Sequence, residues 1–157
     1  MPRHPYKKRP VKADAIYNSH EVAKLINYII IDGKKSVAQQ IIYSTLEELK
    51  KDNNDPLKVL HKAITNVAPN VEVKPRRLGG ASYLVPTEVR RERRLYLALN
   101  WILEAAKAKP NKEFKSFEAK LTSEILEASK NQGASVNKRL QAEKLAEANK
   151  AFAHLKW

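Results

Sequence analysis

The sequence has no cysteine in its 157 residues. A disulfide scaffold, a cysteine-ligated zinc site, an iron–sulfur cluster and a thiol nucleophile are therefore excluded. Glycine is scarce too. Gly33, Gly79, Gly80 and Gly133 are the only four, and their spacing permits no GxGxxG dinucleotide fingerprint. Gly33-Lys34-Lys35 superficially fits the end of a phosphate loop, but Tyr28 stands where the earlier glycine belongs and Lys35 where a serine or threonine is needed. No apolar run approaches the ~20 residues of a membrane span. None of signal-peptide type follows the N-terminus. Neither end carries the basic amphipathic helix with bulky anchors that a membrane surface selects. The four histidines, His4, His20, His61 and His154, include no pair at ligand spacing on a helix face. They read as surface residues. No catalytic residue, metal or cofactor is expected, and the chain reads as a soluble cytoplasmic protein.

Negative charge is also in short supply. Asp and Glu number 17 against 30 Lys and Arg, a net charge of +13. That excess implies a polyanionic partner. Hydrophobic residues make up 43% of the chain, enough for a real core in one domain. Residues 1–15 read as an arm. Arg3, Lys7, Lys8, Arg9 and Lys12 precede the first acid, Asp14, and Pro2, Pro5 and Pro10 disfavour a helix there. Residues 16–157 then read as a single helical domain.

The first helix carries an apolar stripe of Val22, Leu25, Ile26, Ile29 and Ile30, with Asn18 and Glu21 at capping-box spacing and Asp32-Gly33 as its end. The second, about 35–50, is expected to bury Val37, Ala38, Ile41, Ile42, Thr45 and Leu49. Asp55-Pro56 starts a third, Asp as N-cap and Pro at the first helical position, and Pro69 stops it. Between about 71 and 89 the period changes to two. Val71–Lys74 and Ser82–Val85 alternate around Gly79-Gly80, the composition of a tight hairpin. Pro75 and Pro86 confine such strands to a free-standing ribbon or an edge. An isolated hairpin is marginal in water, so a partner is expected to hold it. A fourth helix, from Arg90 to about Lys107, is the candidate for the central one. Ser116 caps a fifth, and a sixth runs from about Ala134 to Ala153 with Val136, Leu140, Leu145, Ala148 and Phe152 inward. The carboxylates are expected to pair with lysines along helix faces, as Glu143, Lys144 and Glu147 suggest. The fold class is thus mainly α: a six-helix, bundle-like domain with a two-stranded β-ribbon protruding between helices three and four and an extended basic N-terminal arm.

The charges cluster. Lys74, Arg76 and Arg77 share the ribbon, and Arg90, Arg91, Arg93 and Arg94 follow at its exit, interrupted only by Glu92. Arginine's planar fork matches phosphate oxygens, and Tyr83 offers a ring for stacking on a base or ribose. Lys34 and Lys35 sit at a helix start, where cations oppose the macrodipole and an external phosphate would relieve them. Lys138 and Arg139, with Lys144, Lys150 and Lys156, form a third group, moderated by Glu143 and Glu147. Arm, ribbon, helix start and C-terminal helix are separate elements, and together they suggest a grip on one large folded nucleic acid through phosphate positions and shape. An architectural DNA-binding protein with a β-arm is the alternative. An RNA-modifying enzyme would need a cofactor pocket for which the sequence offers no motif.

Three longer segments carry a resemblance. Ile31-Asp-Gly-Lys-Lys35, Arg76-Arg-Leu-Gly-Gly-Ala-Ser-Tyr-Leu-Val-Pro-Thr-Glu-Val-Arg90 and Ala146-Glu-Ala-Asn-Lys-Ala-Phe-Ala-His154, with the opening Met1-Pro2-Arg3 and Ile16-Tyr-Asn-Ser19, resemble the bacterial type of the S-seven family of small-subunit ribosomal proteins over essentially the whole chain. The resemblance implies a helical domain with a protruding ribbon that binds small-subunit rRNA directly, early in assembly of the head, and helps later head proteins to join. It implies a position near the exit (E) and peptidyl (P) tRNA sites and the mRNA exit channel, with the eleventh small-subunit protein as a neighbour of the C-terminal region. In some bacteria family members also repress their own mRNA. Carried onto this chain, rRNA contacts fall on Arg3, Lys7, Lys8, Arg9, Lys34, Lys35, Lys74, Arg76, Arg77, Arg90, Arg91, Arg93 and Arg94, with Lys138 and Arg139 added from the charge pattern. Gly79, Gly80, Ser82 and Tyr83 at the ribbon tip, and Lys144 and Lys150, are expected toward tRNA and mRNA. The chain departs from the family pattern at Leu84, often Gln, at Arg91, usually Pro, and at Leu140–Glu143, which replaces an acidic-Thr-His pattern.

Overall fold

The computed structural model describes residues 11–51 and 55–155. The chain order is α1 (His20–Ile29), α2 (Lys35–Lys51), α3 (Pro56–Val67), β1 (Val71–Leu78), β2 (Ala81–Glu88), α4 (Arg91–Ala108), α5 (Phe117–Ser129), α6 (Ala134–Ala148) and a terminal 3-10 segment (Lys150–Leu155). The mainly helical class and the ribbon between the third and fourth helices match the sequence reading.

Local chemistry explains most of the boundaries. Ser19, not Asn18, caps α1, its hydroxyl accepting from the Val22 N–H at 3.5 Å. Asn18 instead turns the chain in the left-handed region, at φ 47°. The helix also ends earlier than the Asp32-Gly33 signal suggests, at Ile29. Those two residues, at φ 54° and 73°, form the turn into α2. Asp55 caps α3 ahead of Pro56, and Ser116 caps α5.

The core joins one stripe from each of the first five helices. Leu25 and Ile26 of α1, Ile42, Leu46 and Leu49 of α2, Leu60 of α3, Leu99 and Ile102 of α4 and Leu121 and Ile125 of α5 are all almost inaccessible. Each such side chain contributes about 1.5–3 kcal/mol on burial. α4 packs on α1, α3, α5 and α6, while α5 packs on α2, α3, α4 and α6. The centre is shared between α4 and α5. Ala98, Ala105, Ala106 and Ala128 are buried there, and small residues let helices approach closely.

Two apolar stripes fail. Val37, expected inward, is 51% exposed, because it lies in the first turn of α2, beyond the end of α1. The last helix stops at Ala148, and the chain tightens into the 3-10 segment. Leu140 and Leu145 are 50% and 45% exposed, and α6 buries only Ser135, Val136 and Ala146. As an outer helix it is covered along a narrow strip, too narrow to impose a periodic pattern.

Among the described residues, ion pairs run between elements more than along helix faces. Lys109 Nζ lies 2.6 Å from Glu127 and 3.4 Å from Glu124. Lys138 pairs with Glu104, and His61 with Glu21 at 3.0 Å. Glu143 meets Arg139, not Lys144. Glu124 is fully buried and accepts from the Ser135 N–H at 3.0 Å and the Ser135 hydroxyl at 2.7 Å. Gly133 precedes α6 without a side-chain cap, so a carboxylate from α5 does that work, at the helix end where negative charge is favoured.

Candidate nucleic-acid interface

The ribbon pairs in simple antiparallel register, Arg76 opposite Tyr83 and Arg77 opposite Ser82. Gly79 and Gly80, at φ 54° and 87°, supply the positive angles its two-residue turn requires. Because successive residues face opposite sides of a strand, the two adjacent arginines divide. Arg76 shares a face with Tyr83, Lys74 and fully buried Val85, the face turned to the protein body. Arg77 lies on the other face and is exposed. α6 packs on both strands, and the 3-10 segment packs on β2. Phe152 places its ring 5.3 Å from that of Tyr83. The hold expected from an outside partner thus comes partly from the C-terminal segment, and one side of the Tyr83 ring is already occupied.

The base of the ribbon is closed by a hydrogen bond from the Val89 N–H to the Asn70 carbonyl at 3.0 Å. The chain passes directly into α4, with Arg90 at the N-cap position. The geometry of this junction sorts the four arginines Arg90, Arg91, Arg93 and Arg94 into two pairs. Arg91 and Arg94 line a cleft of about 530 Å³ together with His20 and Lys24 of α1 and His61 of α3. Its carboxylates are Glu21, which faces His61, and Glu92. Arg90 and Arg93 line a neighbouring depression with Lys74, Glu72 and Glu88. There the half-buried Glu72 meets Arg93 Nε and Lys74 Nζ, each at 3.3 Å, and fixes both cations against the ribbon's base. Arg93 also lies over the ring of Tyr96, 5.1 Å from its centroid, and Tyr96 meets Tyr28 edge-on at 5.5 Å. Tyr96 is 40% exposed.

The chain just ahead of α1 joins this face at Val11. His20 Nδ1 lies 3.1 Å from the Val11 carbonyl, so the chain before α1 passes along the rim of the cleft. It is pinned three residues on, where the buried Asp14 accepts from the Ile16 and Tyr17 N–H groups, each at 3.1 Å, and from the Tyr43 hydroxyl at 2.8 Å. Burial alone would raise the Asp14 carboxyl, but these donors hold it below its ordinary value.

Other residues expected from the sequence lie elsewhere. Arg3, Lys7, Lys8, Arg9 and Lys156 are outside the described residues. Lys34 and Lys35 are exposed at the opposite end of α1 from the cleft. Lys138 and Arg139 are engaged internally, by Glu104 and by Glu143 with Asn131. Lys144 and Lys150 are exposed on α6 and the 3-10 segment, and Lys150 lines a groove with Glu88, Glu143 and Glu147. Sequence reasoning missed His20, Lys24, His61 and Tyr96. A signal was present: His20 and Lys24 are one turn apart on a single helix, as are Arg93 and Tyr96. Among the described residues no group of three or more acidic or histidine side chains is arranged to hold a metal ion, and no helix is long and apolar enough to cross a membrane.

Comparison with known proteins covers the chain along its length. Residues 1–150 match the family described as ribosomal protein S7p/S5e. The small ribosomal subunit protein uS7 of Caldanaerobacter subterraneus subsp. tengcongensis is 50% identical over 159 positions that span the whole of both chains. The protein of the same name from Thermoanaerobacter pseudethanolicus is 48% identical over the whole of both, and that from Mycoplasma capricolum subsp. capricolum 49% identical over 96% of each.

Proposed function

This chain belongs to the ribosomal protein S7p/S5e family and is a structural, non-enzymatic constituent of the small ribosomal subunit; from that premise we propose that it clamps folded rRNA of the subunit's head. The contact face is formed by the arm, the ribbon and the two depressions on either side of Arg90–Arg94. The observation that carries the reading is the cleft itself. Three helices far apart in sequence bring His20, Lys24, His61, Arg91 and Arg94 to one concavity, and the chain at Val11 passes its rim. Such a constellation neutralises phosphates where rRNA helices converge, and counterion release drives the association. Tyr96, under Arg93, offers an exposed ring for a base.

The same reading gives the protein an early role in head assembly and a place near the E and P tRNA sites and the mRNA exit channel. The ribbon tip (Gly79, Gly80, Ser82) and Lys144 and Lys150 face that side, and the C-terminal region faces the eleventh small-subunit protein. The support is family membership together with the exposure of these residues.

The test is filter binding of the full chain to a head-domain rRNA fragment across a salt series. Arg91→Ala with Arg94→Ala is expected to weaken binding and to flatten the log–log slope by roughly 0.7–0.9 for each phosphate no longer neutralised. Lys138→Ala, which removes a cation already paired with Glu104, is expected to leave the slope unchanged. An unaltered slope in the double variant refutes the cleft as an rRNA site. Equal affinity for duplex DNA at matched salt would favour the architectural DNA-binding alternative.

A further inference from the structure

The first acid of the chain, Asp14, stands at the root of its most basic segment, with Arg3, Lys7, Lys8, Arg9 and Lys12 all before it. An anion so placed works against a phosphate partner. The fold hides it and uses it. Asp14 is 7% exposed. One of its carboxylate oxygens accepts from the Ile16 and Tyr17 N–H groups, and the other from the Tyr43 hydroxyl of α2. Its backbone closes the same loop twice. The Asp14 N–H donates to the Ser19 carbonyl at 3.2 Å, and the Asn18 N–H donates to the Asp14 carbonyl at 2.9 Å. Asn18, at φ 47°, makes the reversal, and the rings of Tyr17 and Tyr43 lie 5.9 Å apart beside it. The chain therefore doubles back ahead of α1, which brings the Val11 carbonyl within 3.1 Å of His20 Nδ1 at the cleft. That contact is exposed, and a single hydrogen bond contributes only about 0.5–1.5 kcal/mol. The knot at Asp14 is what holds it in place.

We propose that Asp14 is a positioning residue for rRNA binding: the knot it ties fixes where the basic segment leaves the domain, so that its cations start from the rim of the arginine cleft. The inference deepens the reading of this face as an rRNA clamp and rests on it. Asp14 acts through the backbone it holds, not by touching nucleic acid. Tether length sets the size of the effect. Lys7 lies four residues before Val11 and twelve before Ser19, the N-cap of α1 and the first fixed point once the knot is gone. Effective concentration falls roughly as the −3/2 power of tether length, so an approximately threefold longer tether dilutes the cations at the cleft about fivefold. Loss of the anion as a charge has the opposite sign, since it would tighten binding to a polyanion.

The experiment is a double-variant cycle in the full-length chain, read by filter binding to a head-domain rRNA fragment at low and high salt. Arg3→Gln, Lys7→Gln, Lys8→Gln and Arg9→Gln together neutralise the arm, and Asp14→Ala is made in the natural and in the arm-neutral chain. Asp14→Ala is expected to weaken binding about fivefold in the first and to leave it within about twofold in the second. The difference is expected to fade at high salt. Equal losses in both chains, no loss in the natural chain, or tighter binding overturns the proposal. Tyr43→Phe, which removes one donor and keeps the turn, carries the same comparison should Asp14→Ala not fold. A loss no larger in the natural than in the arm-neutral chain then overturns it. A second readout is independent of affinity. The chain has no cysteine, so Pro10→Cys takes a single nitroxide without a change of charge. The label is expected to broaden the His20 and Lys24 amide signals of the free chain, and to do so less once Asp14→Ala is added; undiminished broadening overturns the proposal. Absence of binding by the unsubstituted chain is a separate result, which overturns the rRNA reading and this inference with it.

Discussion

The rings of Tyr83 and Phe152 meet with centroids 5.3 Å apart and planes tilted by 54°, and this pairing ties the terminal 3-10 segment to the second strand of the ribbon. A hairpin that would be marginal alone is thereby backed by α6 at its base and by an aromatic clasp further out. Removing the clasp by Phe152→Ala is expected to cost about 0.5–1.5 kcal/mol locally. The effect should appear as several-fold faster hydrogen exchange across Ala81–Glu88 with little change in the melting temperature, because the 3-10 segment buries nothing in the core. Unchanged exchange in β2 would show that α6 alone holds the ribbon.

The division of Arg76 and Arg77 between the two ribbon faces leads to unequal roles. Arg77→Ala, on the exposed face, is expected to lower rRNA affinity and salt dependence while leaving stability within ~0.5 kcal/mol. Arg76→Ala, on the half-buried face beside Tyr83, is expected to disturb the ribbon as well. Urea melts run alongside the filter-binding series separate the two, and identical behaviour of the variants would contradict the register argument.

Glu124 is the most exacting polar residue in the core. It is fully buried, lies 3.4 Å from Lys109 and accepts from Ser135. Glu124→Ala leaves the Ser135 N–H and hydroxyl and the start of α6 without their acceptor, while Lys109 keeps Glu127 at 2.6 Å, at a cost of about 1–3 kcal/mol. Gly133→Ala attacks the same place from the other side. A Cβ there would sit 3.0 Å from Glu124 Oε1 and 3.1 Å from Glu127 Oε2, at a φ of +98°. Strain at that angle predicts a cost of about 1–3 kcal/mol, measurable by urea denaturation.

Acid sensitivity follows from two carboxylates. Burial opposes ionisation of both Asp14 and Glu127. Hydrogen bonds from Tyr17, Tyr43 and Ile16 hold Asp14 below its ordinary 3.8, and Lys109 with Ser123 holds Glu127 below its ordinary 4.5. A carboxyl group whose folded value is depressed stabilises the fold fully above the unfolded value, and the effect is lost as pH falls through the folded one. The stability gap between the natural chain and a variant with Asp14→Asn and Glu127→Gln is therefore expected to be full at pH 7 and to shrink below about pH 4. Urea titrations at pH 7, 4 and 3 check this, and a gap independent of pH would sink it.

Much of this was open to reading along the chain. The Asp55-Pro56 start, the Ser116 cap, the Gly79-Gly80 turn and the ribbon between the third and fourth helices depend on a few adjacent residues, and the structure shows each where its chemistry puts it. Val37, Leu140 and Leu145 went the other way, since a helical stripe says only that a face is apolar, not that something covers it.

The order of residues along the chain was enough for the helical class, the hairpin, the excess of positive charge and the family. Each of these is local, or additive, or written in a long contiguous motif. How the charges are used came from packing. It sent Arg91 and Arg94 to one cleft and Arg90 and Arg93 to another, gathered His20, Lys24 and His61 from two further helices, and bound Lys109, Lys138 and Arg139 to carboxylates of the protein's own. An ion pair or a cleft depends on the angle and register at which distant segments pack, and no window of neighbouring residues contains that information.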